Sequence, residues 1–231
     1  LMACEAPQMP LPGVTGKAGE LVVVMNDGAW DSHLGDTVFS TLSEDVYGLP
    51  QPEPEFDVVH ISNKAFSSIF QSHRNVVIFT FNDTLETAVE LKKNIWAKPQ
   101  TVVEVKGADK ESVENAFLKH TDRILEHYRT SEQERTLTSY RAQKNEEVTA
   151  TLSEGFGLTI DIPKGYSIVR NEPDMKWIRY QTKDITQSIL IYTEPYHRDS
   201  TFSPIVMAEV MDQFTQKYIP GPEKGSYMRI Y

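Results

Sequence analysis

The stretch that decides the fold is residues 108–154, which read ADKESVENAFLKHTDRILEHYRTSEQERTLTSYRAQKNEEVTATLSE. Gly107 and Gly155 bracket it, and it contains neither glycine nor proline. Its many Glu, Lys, Arg, Gln and Leu residues favour helix, and β-rich sequence lies on both sides. The stretch therefore predicts a central helical segment that separates two lobes.

A single straight helix over this stretch is too long for the chain. Some 45 residues at about 1.5 Å each reach almost 70 Å, whereas a compact fold of this size is about 45 Å across. Residues 131–134 form a capping-box pattern, and the apolar seam through Val113, Phe117 and Ile124 thins before it. We therefore expect a break near Thr130, with the first helix packed on the sheet and the second more exposed.

Residues 20–107 alternate between apolar and amphipathic runs, a pattern typical of an α/β lobe. The predicted elements are a strand over 21–25, a helix over 32–44 capped by Asp31, a strand over 56–62, a helix over 63–72, and strands over 75–81, 87–92 and 101–105, with helix as an alternative for 87–92. In the second helix we expect Phe66, Ile69 and Phe70 to point inward. The order strand, helix, strand, helix, strand predicts an α/β start with an antiparallel addition.

Residues 155–231 carry further β-like runs and then a helix. The strands expected here form an antiparallel meander over 158–162, 167–170, 176–182 and 188–193. Ser203 is a helix cap followed by Pro204 at the first helical position. Residues 226–231 look like the start of another strand, so we expect the intact protein to continue beyond them. The chain is thus predicted to be α+β, with two β-containing lobes (20–107 and 155–231) separated by a long central helix.

Composition excludes some classes of function. The formal net charge is −10, which argues against a general nucleic-acid binder because phosphate binding needs clustered Lys and Arg. No apolar run approaches the roughly 18 residues of a membrane span. Apart from the strand-end carboxylates considered below, the sequence contains no pattern that predicts a catalytic residue, a cofactor or a metal site.

Residues 1–19 predict a membrane tether. Leu1-Met2-Ala3-Cys4 resembles a bacterial lipobox, in which a signal peptidase cuts before a cysteine that then carries lipid. The chain starts with Leu, as if most of a signal peptide had been trimmed. Residues 5–13 are rich in proline and suit a spacer between a bilayer and a domain. The alternative is a disordered terminus with an accidental cysteine.

Several short motifs, together with the lipobox-like start, carry a family resemblance. They are Gly16–Glu20, Leu49–Phe56, His73–Val76, Trp96–Gln100, Tyr218–Pro222 and Gly225–Met228. With them the chain, from Cys4 to its end, resembles an uncharacterised lipoprotein family of Bacteroidetes-type bacteria, the domain of unknown function DUF4837. The resemblance implies an exported, lipid-anchored protein, and it implies no known activity and no known catalytic residues.

The candidate ligand-binding residues are Asn26, Asp27, Asn82 and Asp83, which follow two predicted strands. If those strands are parallel, these residues lie at the carboxyl edge of the sheet, where open α/β sheets bind ligands. The two aspartates are then placed to hold a cation or to act as acid and base. The alternative is that Asn and Asp simply cap helices and form turns there.

Three other motifs have both a functional and a structural interpretation. The Pro-Glu crossing at 53–55 is either a partner-binding segment or a rigid connection over a core. Residues 73–75 are either an anion site or part of a helix cap. His120 and His127 fall on the apolar seam of the central segment about 10 Å apart, too far to share one metal, and we expect partly buried histidines.

The sequence therefore leads to two hypotheses of function. The first is a lipid-anchored cell-envelope protein, periplasmic or surface-facing, that acts as a binding or structural module. Its membrane contact is the lipid on Cys4, and its partner is a protein or a glycan of the envelope. The second is an envelope hydrolase that uses the carboxylates at the strand ends of the first lobe.

Overall fold

The structure is a computed structural model that describes residues 10–49, 51–196 and 199–229. It divides into two compact units at the bond between Thr138 and Ser139. Cys4, the predicted lipid carrier, lies outside the described residues. No helix in the described part of the chain is long and apolar enough to cross a membrane.

The amino-terminal unit is built on a five-stranded mixed sheet. Its strands are β1 (Glu20–Val24), β2 (Asp57–Ile61), β3 (Asn75–Phe81), β4 (Ala88–Lys93) and β5 (Thr101–Gly107). The strand order is β2-β1-β3-β5-β4, and every neighbouring pair is parallel except the antiparallel pair β4 and β5. The predicted α/β start with an antiparallel addition is confirmed.

The helices of this unit are α1 (Asp27–Trp30), α2 (His33–Leu42), α3 (Ser68–Gln71), α4 (Lys110–Lys119) and α5 (Thr121–Ala142), the last of which runs across the unit boundary. The prediction for 63–72 is wrong in extent, because only α3 is helical and Ile69 is 74% exposed. Phe66 points inward from the preceding loop, with its ring 5.6 Å from that of Trp96. Ser32, and not the predicted Asp31, is the N-cap residue of α2.

The central segment breaks at different places from the one predicted. Thr130 lies inside α5, so the expected break there is wrong. The breaks fall at His120, which ends α4, and at residues 143–145, after which α6 (Glu146–Phe156) begins. The capping-box pattern failed as a signal because Ser131 is buried inside α5 and the Glu134 carboxylate pairs with Lys93 of β4 at 3.4 Å instead of capping a helix.

Both faces of the five-stranded sheet carry buried apolar side chains. One face packs against α2, α4 and α5, through residues that include Leu34, Val38, Val113, Phe117, Ile124 and Tyr128. On the other face, Phe66 and Trp96 pack against a smaller cluster of buried side chains. Each fully buried Val, Leu or Phe side chain stabilises the fold by roughly 1.5–3 kcal/mol. The first face therefore supplies most of the apolar stabilisation of this unit.

The carboxy-terminal unit is a three-stranded antiparallel sheet with helices. Its remaining elements are β6 (Tyr166–Asn171), β7 (Met175–Gln181), β8 (Thr186–Tyr192), a 3-10 turn (Asp199–Phe202) and α7 (Pro204–Tyr218). The sheet order is β6-β7-β8, and α6 packs on one face of it. The Ser203 cap is confirmed, since its hydroxyl accepts a hydrogen bond from the Val206 amide at 3.4 Å. With helices and sheets segregated in this way, the predicted α+β class is confirmed.

Two strand predictions in this unit are wrong. Residues 158–162 form no strand, because the carbonyls of Ile160 and Ile162 accept hydrogen bonds from Thr149 and Asn145 at the start of α6. Among residues 226–229, the described part of the second prediction, the structure has a single antiparallel bridge from Tyr227 to Pro220. In both places the local sequence pattern is β-like, but the backbone hydrogen bonds are made with residues outside the three-stranded sheet.

A buried tyrosine gives a test of how α5 is held on the sheet. Tyr128 is fully buried, and its hydroxyl donates to the Val76 carbonyl of β3 at 2.7 Å. We expect Tyr128→Phe to lower the free energy of unfolding by about 1 kcal/mol, because it removes one buried hydrogen bond. Tyr140→Phe is the matched control, since Tyr140 lies on the same helix and is 44% exposed. Urea denaturation measures both, and equal effects of the two changes would contradict the assignment.

Candidate functional site

The carboxyl edge of the five-stranded sheet holds the predicted ligand-binding residues. β1 and β3 are parallel neighbours, with Val24 opposite Ile78. The chain leaves β1 toward β2 on one side, while β3 lies on the other side, so this is the topological switch point of the sheet. The structure therefore brings the ends of β1 and β3, with Asn26 and Asn82 after them, to one edge.

The two asparagines at this edge have local structural roles. The Asn26 carbonyl oxygen accepts from the Ala29 amide at 2.9 Å and caps α1. The Asn82 carbonyl oxygen accepts from both the amide and the hydroxyl of Thr84, at 3.0 and 2.8 Å. These contacts match the capping alternative for Asn26 and Asn82, and Asp27 and Asp83 beside them are both exposed.

Other side chains fix the loop after β1. Trp30 stacks on His60 with ring centroids 4.5 Å apart and planes within 2°. The His60 Nε2 atom lies 3.0 Å from the Met25 carbonyl. The Lys110 ammonium donates to the Gly28 carbonyl at 2.7 Å. Sequence reasoning missed His60 and Lys110, because neither is near this loop in the chain.

No set of metal ligands is assembled within residues 10–49, 51–196 and 199–229, where no group of three or more His, Cys, Asp or Glu side chains is placed to hold an ion. His120 and His127 are partly buried, as expected. Burial, with Lys93 nearby, lowers the pKa of His127, so its ring is neutral near pH 7. His120 ends α4, where its amide bonds the Ala116 carbonyl.

The amino edge of the same sheet is a dense polar cluster that collects three of the sequence motifs. Gly16, from the first motif, has φ +89° and lies against the imidazole of His73. The His73 Nε2 atom is 2.7 Å from a carboxylate oxygen of Glu20. The side-chain amide of Gln100, from the motif Trp96–Gln100, donates to the His73 carbonyl at 2.8 Å. Residues far apart in the chain thus close one end of the sheet.

Asn75 is the centre of this cluster. Its side chain is fully buried and donates to the Glu20 carbonyl at 3.1 Å and to the Glu132 carboxylate at 2.6 Å. It also accepts from the Arg135 guanidinium at 2.6 Å. Arg74 lies 3.3 Å from the Glu132 carboxylate. Arg74 is therefore paired within the chain, which favours the structural interpretation of residues 73–75 over the anion site.

The Pro-Glu crossing is tied to the same unit by backbone and side-chain contacts. Val46 donates to the Glu53 carbonyl at 2.8 Å, and Glu55 donates to the Glu44 carbonyl at 2.9 Å. The Glu55 carboxylate accepts from the Arg129 guanidinium of α5 at 2.6 Å. These contacts match the interpretation of the crossing as a rigid connection over a core.

The family comparison divides the chain into two parts at nearly the same place as the fold does. Residues 14–141, more than half of the chain, match the family model of DUF8532, a domain of unknown function. The chain belongs to the DUF8532 family. Residues 143–231 match a second model, DUF4837, also a domain of unknown function. No curated protein and no solved structure gives a significant match.

The predicted resemblance to DUF4837 is confirmed for the carboxy-terminal part alone. The motifs Tyr218–Pro222 and Gly225–Met228 fall within the DUF4837 match. The motifs Gly16–Glu20, His73–Val76 and Trp96–Gln100 fall within the DUF8532 match. The polar cluster at the amino edge is therefore a feature of the DUF8532 domain.

The fit of Gly16 against His73 is open to a direct test. A Cβ atom at Gly16 would lie 2.3 Å from the His73 ring, whereas one at Gly48 would meet nothing within 4 Å. The two glycines have nearly the same φ, +89° and +88°. Both alanine variants carry the same backbone strain, so we expect Gly16→Ala to lose about 1–3 kcal/mol more than Gly48→Ala because it also overpacks the contact.

Thermal and urea unfolding of the two variants measure that difference. A loss in Gly48→Ala that equals the loss in Gly16→Ala would mean that the contact with His73 does not constrain the amino-terminal segment.

Proposed function

We propose that the chain is a lipid-anchored binding module of the bacterial cell envelope, held to a membrane through Cys4. In this proposal the carboxyl edge of the DUF8532 sheet is directed away from the bilayer. Its ligand is a protein or a glycan of the envelope, bound at the switch point near Asp27 and Asp83. The lipobox-like start and the family resemblance motivate the anchor.

One observation carries the orientation: the carboxy-terminal part of the predicted tether, residues 12–15, is hydrogen-bonded to the amino edge of the sheet. Lys98 donates to the Pro12 carbonyl at 2.8 Å, Thr15 donates to the Ser72 carbonyl at 2.9 Å, and Arg74 donates to the Thr15 carbonyl at 3.0 Å. All of these partners lie just before or at the start of β3 and β5. The chain thus joins the domain at the edge opposite the candidate ligand-binding residues.

The length of the tether then limits how far the domain stands from the lipid. The eight residues from Cys4 to Pro12 span at most about 28 Å even when fully extended. The amino edge is therefore the part of this unit nearest the bilayer, and the carboxyl edge is accessible to a partner from the aqueous side. A net charge of −10 favours partners other than nucleic acid.

The hydrolase alternative receives less support from the site. Of the four candidate residues at this edge, Asn26 and Asn82 already accept local hydrogen bonds with their side-chain oxygens. Asp27 and Asp83 are exposed, whereas a general acid at neutral pH needs burial or a partner that raises its pKa. The binding module is therefore the function that the geometry supports best.

Metabolic labelling with a fatty acid, in the cell that produces the protein, tests the anchor. We expect Cys4→Ser to lose the label and to move from the membrane fraction to the soluble fraction, because a bilayer anchor of this kind depends on lipid chains carried by that residue. Gln8→Ser is the matched control, since it adds the same side chain to the same segment and should keep both properties. Undiminished labelling of Cys4→Ser would show that the lipid proposal is wrong.

A further inference from the structure

The two edges of the five-stranded sheet expose different kinds of side chain. At the carboxyl edge the connections are residues 25–32, 62–67, 82–87 and 108–111. Within these four ranges two lysines are exposed, together with six carboxylates, those of Asp27, Asp31, Asp83, Glu86, Asp109 and Glu111. The same ranges contain no exposed large apolar side chain. The carboxyl edge therefore has an acidic, polar surface.

The amino edge has the opposite character. Its connections are residues 10–19, 43–56, 68–74 and 94–100, of which all but residue 50 are described. Each of the four exposes at least one large apolar side chain, and these are Leu11, Val46, Tyr47, Leu49, Ile69 and Ile95. Single exposed apolar side chains are ordinary on a protein surface, whereas a group of them confined to one edge marks an interaction site.

The segment that leads from Cys4 enters the unit beside these side chains. Leu11 directly precedes Pro12, whose carbonyl accepts a hydrogen bond from the Lys98 amide at 2.8 Å. Lys98 lies in the same loop as Ile95, between β4 and β5. The exposed apolar side chains and the entry point of the predicted tether thus belong to one surface.

The Pro-Glu crossing holds the most exposed of these side chains at its tip. The backbone bond from the Val46 amide to the Glu53 carbonyl closes the base of the tip. Beyond it Tyr47 is fully exposed, and Gly48, with φ +88°, turns the chain between Tyr47 and Leu49. Tyrosine has an apolar ring and a polar hydroxyl, a combination that favours the boundary between a membrane and water.

We propose that the amino edge lies against the surface of an electrically neutral bilayer, with Tyr47 and Leu49 among the lipid headgroups. The proposal rests on the anchor at Cys4 for the direction in which the unit faces. It adds a second attachment to the lipid, which matters because stable membrane binding takes two signals. The acidic carboxyl edge is then turned toward the aqueous side.

The charges at the amino edge select the kind of lipid. The exposed carboxylates of its connections are Glu44, Asp45 and Glu53, all in the Pro-Glu crossing, and the exposed cations are Lys17 and Lys98. An anionic bilayer would repel these carboxylates and a chain of net charge −10, whereas zwitterionic headgroups would not. Two copies that met through this edge would bring the same carboxylates together, so the charge also disfavours a dimer.

Co-sedimentation with phosphatidylcholine vesicles tests this contact on the full-length Cys4→Ser chain. That variant lacks the predicted lipid carrier, so its binding reports the protein surface alone. We expect saturable binding that Tyr47→Asp weakens at least about tenfold, because the change removes an apolar ring and adds a charge at the contact. Vesicles of phosphatidylglycerol should bind more weakly at low salt.

Two further variants locate the contact and separate its causes. Ala65→Asp is the matched control, since Ala65 is exposed in a connection of the carboxyl edge and the change adds the same charge there. We expect it to alter vesicle binding by less than about twofold. Leu49→Ser changes no charge and should weaken binding several-fold, because it removes apolar contact area.

Fluorescence quenching by brominated phosphatidylcholine gives the orientation independently. We expect Tyr47→Trp to add a quenched component to the signal of the three native tryptophans, and Asp83→Trp, at the opposite edge, to add an unquenched one. Equal quenching of the two added tryptophans would contradict the orientation.

Three other results would overturn the proposal. They are no binding of the Cys4→Ser chain to phosphatidylcholine vesicles, equal weakening by Tyr47→Asp and Ala65→Asp, and a dimer in sedimentation equilibrium that Tyr47→Asp dissociates. The last result would assign the surface to a second copy of the chain. A chain that takes up fatty acid on Cys4 but whose Cys4→Ser variant does not bind vesicles would keep the anchor and refute this contact alone.

Discussion

The amino-terminal unit depends on one buried amide. Asn75 stands at the first position of β3, is fully buried, and bonds β1 through the Glu20 carbonyl and α5 through Glu132 and Arg135. A buried polar group left without a partner costs about 1–3 kcal/mol, and more when the partner is charged. Each of these contacts is therefore satisfied only when the strand, the helix and the amino edge are all in place.

The Asn75 cluster makes the two ends of the sheet different in structure. The amino edge is closed by the Asn75 cluster, by Gly16 against His73, and by residues 12–15 of the predicted tether. The carboxyl edge has loops with short-range caps and exposed carboxylates at Asp27 and Asp83. The amino edge is thus held by many contacts and the carboxyl edge is open to solvent, which suits the binding role proposed for the carboxyl edge.

Local sequence patterns predicted the elements whose stability is local. The run over 75–81 matches β3 at both ends, and Ser203 with Pro204 starts α7 as expected. The patterns failed where a distant contact decides the structure. The capping box near Thr130 is overridden because Ser131 is buried inside α5 and Glu134 pairs with Lys93 of β4. Residues 158–162 are not a strand because Thr149 and Asn145, at the start of α6, bond two of their carbonyls. Spacing along the chain contains no information on such pairings.

The candidate site was predictable in its position and not in its detail. Asn26 and Asn82 were identified because they follow predicted strands, and the parallel pairing of β1 and β3 places them at one edge. His60 and Lys110, which hold the loop after β1, come from β2 and α4 and are distant from that loop in the chain. The contacts that bring three motifs together around Asn75 are long-range in the same way.

The most direct measurement of the central constraint is a double-mutant cycle between Asn75→Ala and Arg135→Met, read from urea denaturation. The Arg135 side chain is 7% exposed and bonds both Asn75 and Glu132, so the two changes share partners. We expect the two losses to be non-additive by about 1–3 kcal/mol, while Arg135→Met combined with His33→Ala, an exposed site on α2, is additive within about 0.5 kcal/mol. Additive losses for Asn75 and Arg135 would contradict the claim that one buried network holds this unit together.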